Sequence, residues 1–199
     1  MTSIQLDVPT EPNNALGSTR STSEFTDEAA LIRDAVGGSA RAFEQIVHSH
    51  HHRVFNFLYQ MTRQRQDAED LAQQTFIKAY HHLPRFDPRR PLINWLLVIA
   101  RRTALNHFRS AKKWEPVPPE TAGTEPSPAR VIEDRDRADT LWERARTVLP
   151  ARQFEIMWLR FGEDLSTEET ARIVGLTRVH VKVLVHRARQ ILLKGETQS

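Results

Sequence analysis

Cysteine is absent from the 199 residues. That excludes disulfides and thiolate-bound metal, and it fits a protein of the cytosol. No run of 18 apolar residues occurs, so no membrane-spanning helix is expected. The opening stretch MTSIQLDVPTEPNN has neither a basic start nor an apolar block, so it does not read as a secretory signal. Apolar residues make up 39% of the chain, enough for cores of modest size. At this length the expectation is one large domain or two small ones.

Charge is plentiful and segregated. The formal net charge of +3 hides an acidic start, with one Arg against five acids in residues 1–28. Residues 29–113 carry 14 Lys and Arg against 6 acids, 114–139 carry 3 against 7, and 140–199 carry 10 against 7. Two basic blocks separated by an acidic spacer suggest two surfaces for a polyanion.

The most informative stretch is PLINWLLVIARRTALNHFRSAKK, Pro91 to Lys113, which reads as one long helix with Pro91 in its first turn. Leu92, Leu96, Ile99 and Thr103 share a core-facing side. Arg102, Asn106, Arg109 and Lys113, spaced by fours and threes, share another side, and Trp95 lies seven residues before Arg102 on the same stripe. An aromatic beside a file of cations and an amide suits single-stranded nucleic acid, with bases on the ring and phosphates on the cations. An ordinary solvated basic helix with Trp95 in the core is the competing reading.

In chain order, residues 1–25 read as a disordered tail rich in Thr, Ser, Pro and Asn. A short helix follows over Thr26–Val36, stopped by Gly37-Gly38. Ser39 caps a long amphipathic helix whose apolar positions run from Phe43 to Met61. His48 and His52 on that helix are i,i+4, but residue 49 is Ser, so the Glu of an H-E-x-x-H metal motif is missing. No carboxylate pair accompanies the histidines, which argues against a metal-dependent nuclease. A third helix is expected from near Asp67, with Asp67, Glu69 and Asp70 in its first turn, where the helix dipole favours anions. Ala68, Ala72, Phe76 and Tyr80 form its inward file, and Asp70, Gln73, Gln74, Ile77 and His81 its outer face. The loop LPRFDPRRP is stiffened by prolines and charged by Arg85, Arg89 and Arg90.

Residues 114–138 read as a flexible linker, because the stretch 114–139 holds five prolines and few core-forming residues. The block 139–195 reads as a set of helices. One spans about 139–148, and a second opens at Pro150 and ends near Gly162, with Phe154, Met157, Trp158 and Phe161 as core candidates. Ser166-Thr-Glu-Glu169 has the form of a capping box. Ala171, Gly175 and Val181 fit a helix-turn-helix: a small residue for close packing, a turn glycine and an apolar seat. A plain helical hairpin remains the alternative.

With both blocks in view, the chain resembles the bacterial RNA polymerase sigma factors of the extracytoplasmic-function (ECF) group over roughly residues 27–195. DAEDLAQQTFIKAY is similar to the family's polymerase-docking helix, WLLVIARRTALNHFR to the helix that opens and reads the minus-ten element, and LSTEETARIVGLTRVHVKVLVHRAR to the helix-turn-helix that reads the minus-thirty-five element. The resemblance implies an all-α protein, with region two over 26–113 and region four over 139–195. It implies a cytoplasmic, non-enzymatic initiation factor without a cofactor, binding the β′ clamp and β flap of core RNA polymerase and promoter DNA, and held in check by an anti-sigma factor. Asp67, Glu69, Asp70, Gln73 and Gln74 would dock on the clamp. Arg85, Arg89, Arg90, Trp95, Arg102, Asn106 and Arg109 would hold the opened minus-ten strand. Thr177, Arg178, His180, Lys182, His186, Arg187 and Arg189 would contact minus-thirty-five duplex.

The chain departs from the family at several positions. Gln74 stands where the family usually has Glu, Arg102 where it has Asn, and Asn106 where it has Asp. The recognition-helix run usually seen as Thr-Val-Lys-Ser-Arg is here His180-Val181-Lys182-Val183-Leu184, which lacks the hydroxyls and the arginine. A sigma-like module that titrates an anti-sigma factor is the alternative of a different class.

Overall fold

A computed structural model of the protein describes residues 22–114 and 133–196, with side chains over 28–110 and 141–194. The expected tail through residue 21 and the linker over 115–132 lie outside the described residues. The regular elements among the described residues are all helical: α1 (Thr22–Val36), α2 (Ala40–Thr62), α3 (Arg65–His82), α4 (Leu92–Trp114), α5 (Glu133–Val148), α6 (Ala151–Met157), α7 (Thr167–Val174) and α8 (Arg178–Glu196). A 3₁₀ turn, Leu83–Arg85, follows α3, and a π-helical turn, Trp158–Gly162, follows α6.

The chain divides into two units, residues 1–46 and 47–199. In the first, α1 stops where expected. Gly38 takes a left-handed φ of 97°, and the Ser39 hydroxyl accepts the Ala42 N–H at 3.2 Å to cap α2. α1 begins at Thr22, four residues earlier than its sequence indicated.

In the second unit, Val54, Phe57 and Leu58 of α2, Leu71, Ala72 and Phe76 of α3, and Leu92, Leu96 and Leu97 of α4 are buried. α3 and α4 pack together, joined by the Lys78 ammonium, which donates to the Thr103 hydroxyl at 3.0 Å. Two expectations for α3 need correction. It starts at Arg65, so only Asp67 lies in the first turn. Tyr80 is 43% exposed, because twelve residues at about 100° each rotate it roughly 120° from Ala68.

The later helices build a second core from Ala145, Leu149, Phe154, Met157 and Ala188, with Trp142, Trp158 and Val185 packed around it. α5 starts at Glu133 and so takes in residues assigned to the linker. Phe161 is exposed rather than in the core. It lies in the π turn, where Arg160 and Arg189 set their guanidinium groups 5.5 and 5.2 Å from its ring centre.

Candidate nucleic-acid and docking surfaces

α4 has the two natures its sequence suggests. Pro91 precedes the helix, and its carbonyl accepts the Asn94 N–H at 3.2 Å. Leu92, Ile93, Leu96, Leu97, Ala100, Thr103 and Ala104 are buried, with Ile99 half-buried beside them. Arg102, Asn106 and Arg109 are exposed on one stripe. Trp95 is half-buried, its ring 5.1 Å from that of Phe86 and tilted by 50°. The buried Phe86 therefore props the tryptophan at the head of the stripe. The side chain of Lys113 lies outside the described residues.

The loop before α4 is held by one carboxylate. Asp87 accepts from Arg89 through both oxygens, at 2.9 and 3.0 Å, and from the Arg89 N–H at 3.2 Å, with Arg90 3.7 Å away. The hydrogen bonds from Arg89 hold the Asp87 carboxyl below its ordinary range and raise the guanidinium in turn. Arg85 and Arg90 are exposed and share a cleft of about 210 Å³ with Trp95, Asn94, Glu169 and Arg172.

On α3, Asp70, Gln73 and Gln74 are exposed, and Ile77 is an apolar spot, 52% exposed, on the same face. Asp67 lies 3.7 Å from His107 of α4, and Glu69 pairs with Arg65 at 2.9 Å. Asp70 accepts from Gln66 at 3.4 Å. Among the described residues no group of three or more His, Asp or Glu is placed to hold a metal ion. His51 stacks with Phe55 and Phe76, 6.2 Å from each ring.

The α7–α8 pair has a local cause for every bend. Ser166 and Glu169 form the capping box, at 3.2 and 2.8 Å. Gly175 is left-handed at φ 68°, a conformation that costs an L side chain about 1–2 kcal/mol. The Thr177 hydroxyl accepts the His180 N–H at 3.2 Å and starts α8, so this residue is spent on a cap. Ala171 and Val181 are buried where the two helices meet. Arg178, His180, Lys182, His186, Arg187 and Arg189 are all exposed. Of the alternating valines, Val181 is inside, Val185 packs on the core, and Val179 and Val183 are exposed at 72% and 41%. Leu184 is half-buried.

The model of Sigma-70 region 2 matches residues 46–114, and that of Sigma-70 region 4 matches residues 142–192. The ECF RNA polymerase sigma factor SigD of Mycobacterium tuberculosis is 30% identical over 172 residues, covering 82% of this chain and 81% of the relative. The chain belongs to the ECF RNA polymerase sigma factors. The sigma factor YlaC of Bacillus subtilis is 29% identical, over 79% of this chain and 94% of its own. Among solved structures, RpoE of Bartonella quintana, crystallised with the anti-sigma factor NepR, superposes with a TM-score of 0.63 at 24% identity. It covers 78% of this chain and 96% of that one. CnrH, in complex with the cytosolic domain of CnrY, superposes with a TM-score of 0.62 at 23% identity, over 87% and 99%. At these identities the two structures speak for the fold.

This sigma factor is thus a promoter-directing transcription initiation factor with two helical domains, and no described helix is long and apolar enough to cross a membrane. Its two matched regions touch through residues that sequence reasoning passed over. Arg101 of α4 pairs with Glu155 of α6 at 2.5 Å, with side chains only 11% and 10% exposed. The Asn94 amide donates to Glu169 at 2.7 Å. Arg53 pairs with Glu163 at 2.9 Å. Arg63 pairs with Glu143 through two bonds of 2.9 and 2.8 Å, which lowers the Glu143 carboxyl. Arg146 donates to the Gln60 carbonyl at 2.5 Å. The partners stand 54 to 110 residues apart, and no local periodicity or motif announces such pairs.

Proposed function

We propose that the sigma factor holds the opened minus-ten strand on the exposed stripe of α4. Arg102 and Arg109 would take phosphates, Asn106 a base edge, Trp95 a stacked base, and Arg85, Arg89 and Arg90 the adjoining backbone. The observation that supports this most is the division of α4, with a continuous buried side fixing the helix and a cationic side left to solvent. A rigid scaffold presenting ordered donors lowers the ordering cost of binding. The outer face of α3, with Asp67, Glu69, Asp70, Gln73 and Gln74, docks on the β′ clamp of core polymerase. α8 lies on minus-thirty-five duplex through Arg178, His180, Lys182, His186, Arg187 and Arg189, with Thr177 at its head. Region four also meets the β flap. The two working domains run over 26–113 and 139–195. The protein works by binding and not by catalysis, takes no cofactor, resides in the cytoplasm with the polymerase, and is held in reserve by an anti-sigma factor.

Run-off transcription with purified core polymerase tests the reading. The native chain should start transcripts at a defined promoter. Arg102→Ala with Arg109→Ala should lose strand opening while still co-purifying with core. A chain that binds an anti-sigma factor but supports no transcript would favour the titration alternative.

A further inference from the structure

A cavity of about 400 Å³ opens between α2 and α4 on one side and α5 and α6 on the other. Phe57, Met61, Leu105, Leu149 and Phe154 give it apolar walls. Its volume is in the range of small-molecule sites, which favour the boundary between two packed bodies. No residue proposed for DNA or polymerase contact lines it.

The polar groups around it are unbalanced. Arg101, Arg146 and Arg152 line the cavity, against a single carboxylate, Glu155. Glu155 is already shared, with Arg101 at 2.5 Å and Arg152 at 3.4 Å. Arg152 also donates to the Val174 carbonyl at 2.8 Å. Among the described residues Arg146 bonds to no carboxylate, since the nearby Glu143 is held by both arms of Arg63. Its terminal nitrogens reach the backbone and side-chain oxygens of Gln60, while its Nε is buried with no acceptor among the described residues. The indole Nε1 of Trp158, another lining residue, is likewise buried with no acceptor among the described residues. Burial, with Arg63 nearby, pulls the Arg146 guanidinium down to about 10, the direction expected of a desolvated cation short of counter-charge. An apolar chamber whose three arginines face one shared carboxylate has more donors than charged acceptors.

We propose that this cavity binds a small amphipathic carboxylate, its hydrocarbon part among the apolar walls and its head group on Arg146 and the Trp158 indole N–H. A charge-assisted bond to a guanidinium is stronger than a neutral one, so the head group and not the tail sets selectivity. Because the opposite walls come from α2 and α4 and from α5 and α6, an occupant ties the two matched regions together.

The test uses the full chain with octanoate as probe and 1-octanol as its neutral counterpart. Calorimetry should show saturable one-to-one binding of octanoate, with octanol weaker by about tenfold or more. The Trp158 indole resonance, assigned by its loss in Trp158→Phe, should move as octanoate saturates. Arg146→Met should weaken octanoate by about tenfold or more, while Arg144→Met, at an exposed arginine outside the cavity, should leave it unchanged. Should Arg146→Met fail to fold, Leu105→Trp fills the chamber instead and should abolish octanoate binding. No binding at millimolar octanoate, equal binding of octanol, full affinity in a folded Arg146→Met, or a Trp158 resonance that stays put during binding would each overturn the assignment.

Discussion

Replacing Glu155 by Gln tests how the two matched regions are held together. The carboxylate lies 2.5 Å from Arg101, with both side chains about nine-tenths covered, and 3.4 Å from Arg152. The amide keeps the shape and one acceptor oxygen but deletes the charge. Arg101 is then a buried cation without a counter-ion, a change that costs about 3–5 kcal/mol. For a chain of this size, with roughly 2–4 °C per kcal/mol, the melting temperature should fall by roughly 6–20 °C. Glu69→Gln is the internal control. Its pair with Arg65 is 2.9 Å long, but the arginine is 75% exposed, so its loss should cost only about 0.3–0.5 kcal/mol. Urea denaturation of both variants, followed by circular dichroism, gives the comparison. The double change Arg101→Met with Glu155→Leu should regain most of the loss, because apolar groups of similar volume replace a buried pair at little cost. If Glu155→Gln costs no more than Glu69→Gln, or if the double variant is as weak as the single, the pair is not a buried bond between the regions.

Other expectations follow from single residues. Gly175→Ala should cost about 1–2 kcal/mol in urea denaturation, because φ is 68° and an added Cβ would meet nothing within 4 Å; a neutral result would show that the turn relaxes. For Glu169, burial pushes the carboxyl up, but the hydrogen bonds from Ser166 and Asn94, with Arg172 nearby, outweigh it and leave the group below its ordinary 4.5. Its folded value being depressed, the stabilisation is present above pH 4.5 and lost as pH falls through the folded value; Glu169→Gln should flatten the fall of melting temperature below pH 4.5, and an unchanged profile would oppose this. Arg109→Ala should lower the slope of log K against log salt for promoter binding by about one unit if it meets one phosphate, as measured by filter binding of the holoenzyme. Asp70→Lys should weaken co-purification with core polymerase at unchanged circular dichroism; undiminished binding would remove α3's outer face from the docking surface.

What could be read from the amino acids was what depends on near neighbours. Ser166 and Glu169 are three apart, and their capping box formed as expected. Gly175 and Val181 announced the turn and its seat for the same reason. The stripe of Arg102, Asn106 and Arg109 followed from helical spacing alone. Errors arose where phase or composition misled. Phe161 was assigned inward as though the α period continued, but a π turn changes the angle per residue. Residues 133–138 read as linker because they follow the five prolines and offer few core-forming side chains, yet they contain neither Pro nor Gly, and Glu, Arg and Ala suit a helix. The pairs Arg101–Glu155 and Asn94–Glu169 join helices far apart in sequence, so they depend on tertiary packing that no window of residues contains.

Glu169 has a second consequence. One of its oxygens accepts the Ser166 N–H at 2.8 Å and the other the Asn94 amide at 2.7 Å. A single carboxylate therefore finishes the first turn of α7 and fastens it to α4. Linkage is reciprocal, so whatever the docked amide contributes to the cap, the cap returns to the docking by the same factor. The beginning of α7 is thereby a local gauge of a distant event. Pulling α4 away loosens the start of the helix-turn-helix, and fraying that start eases the release of α4.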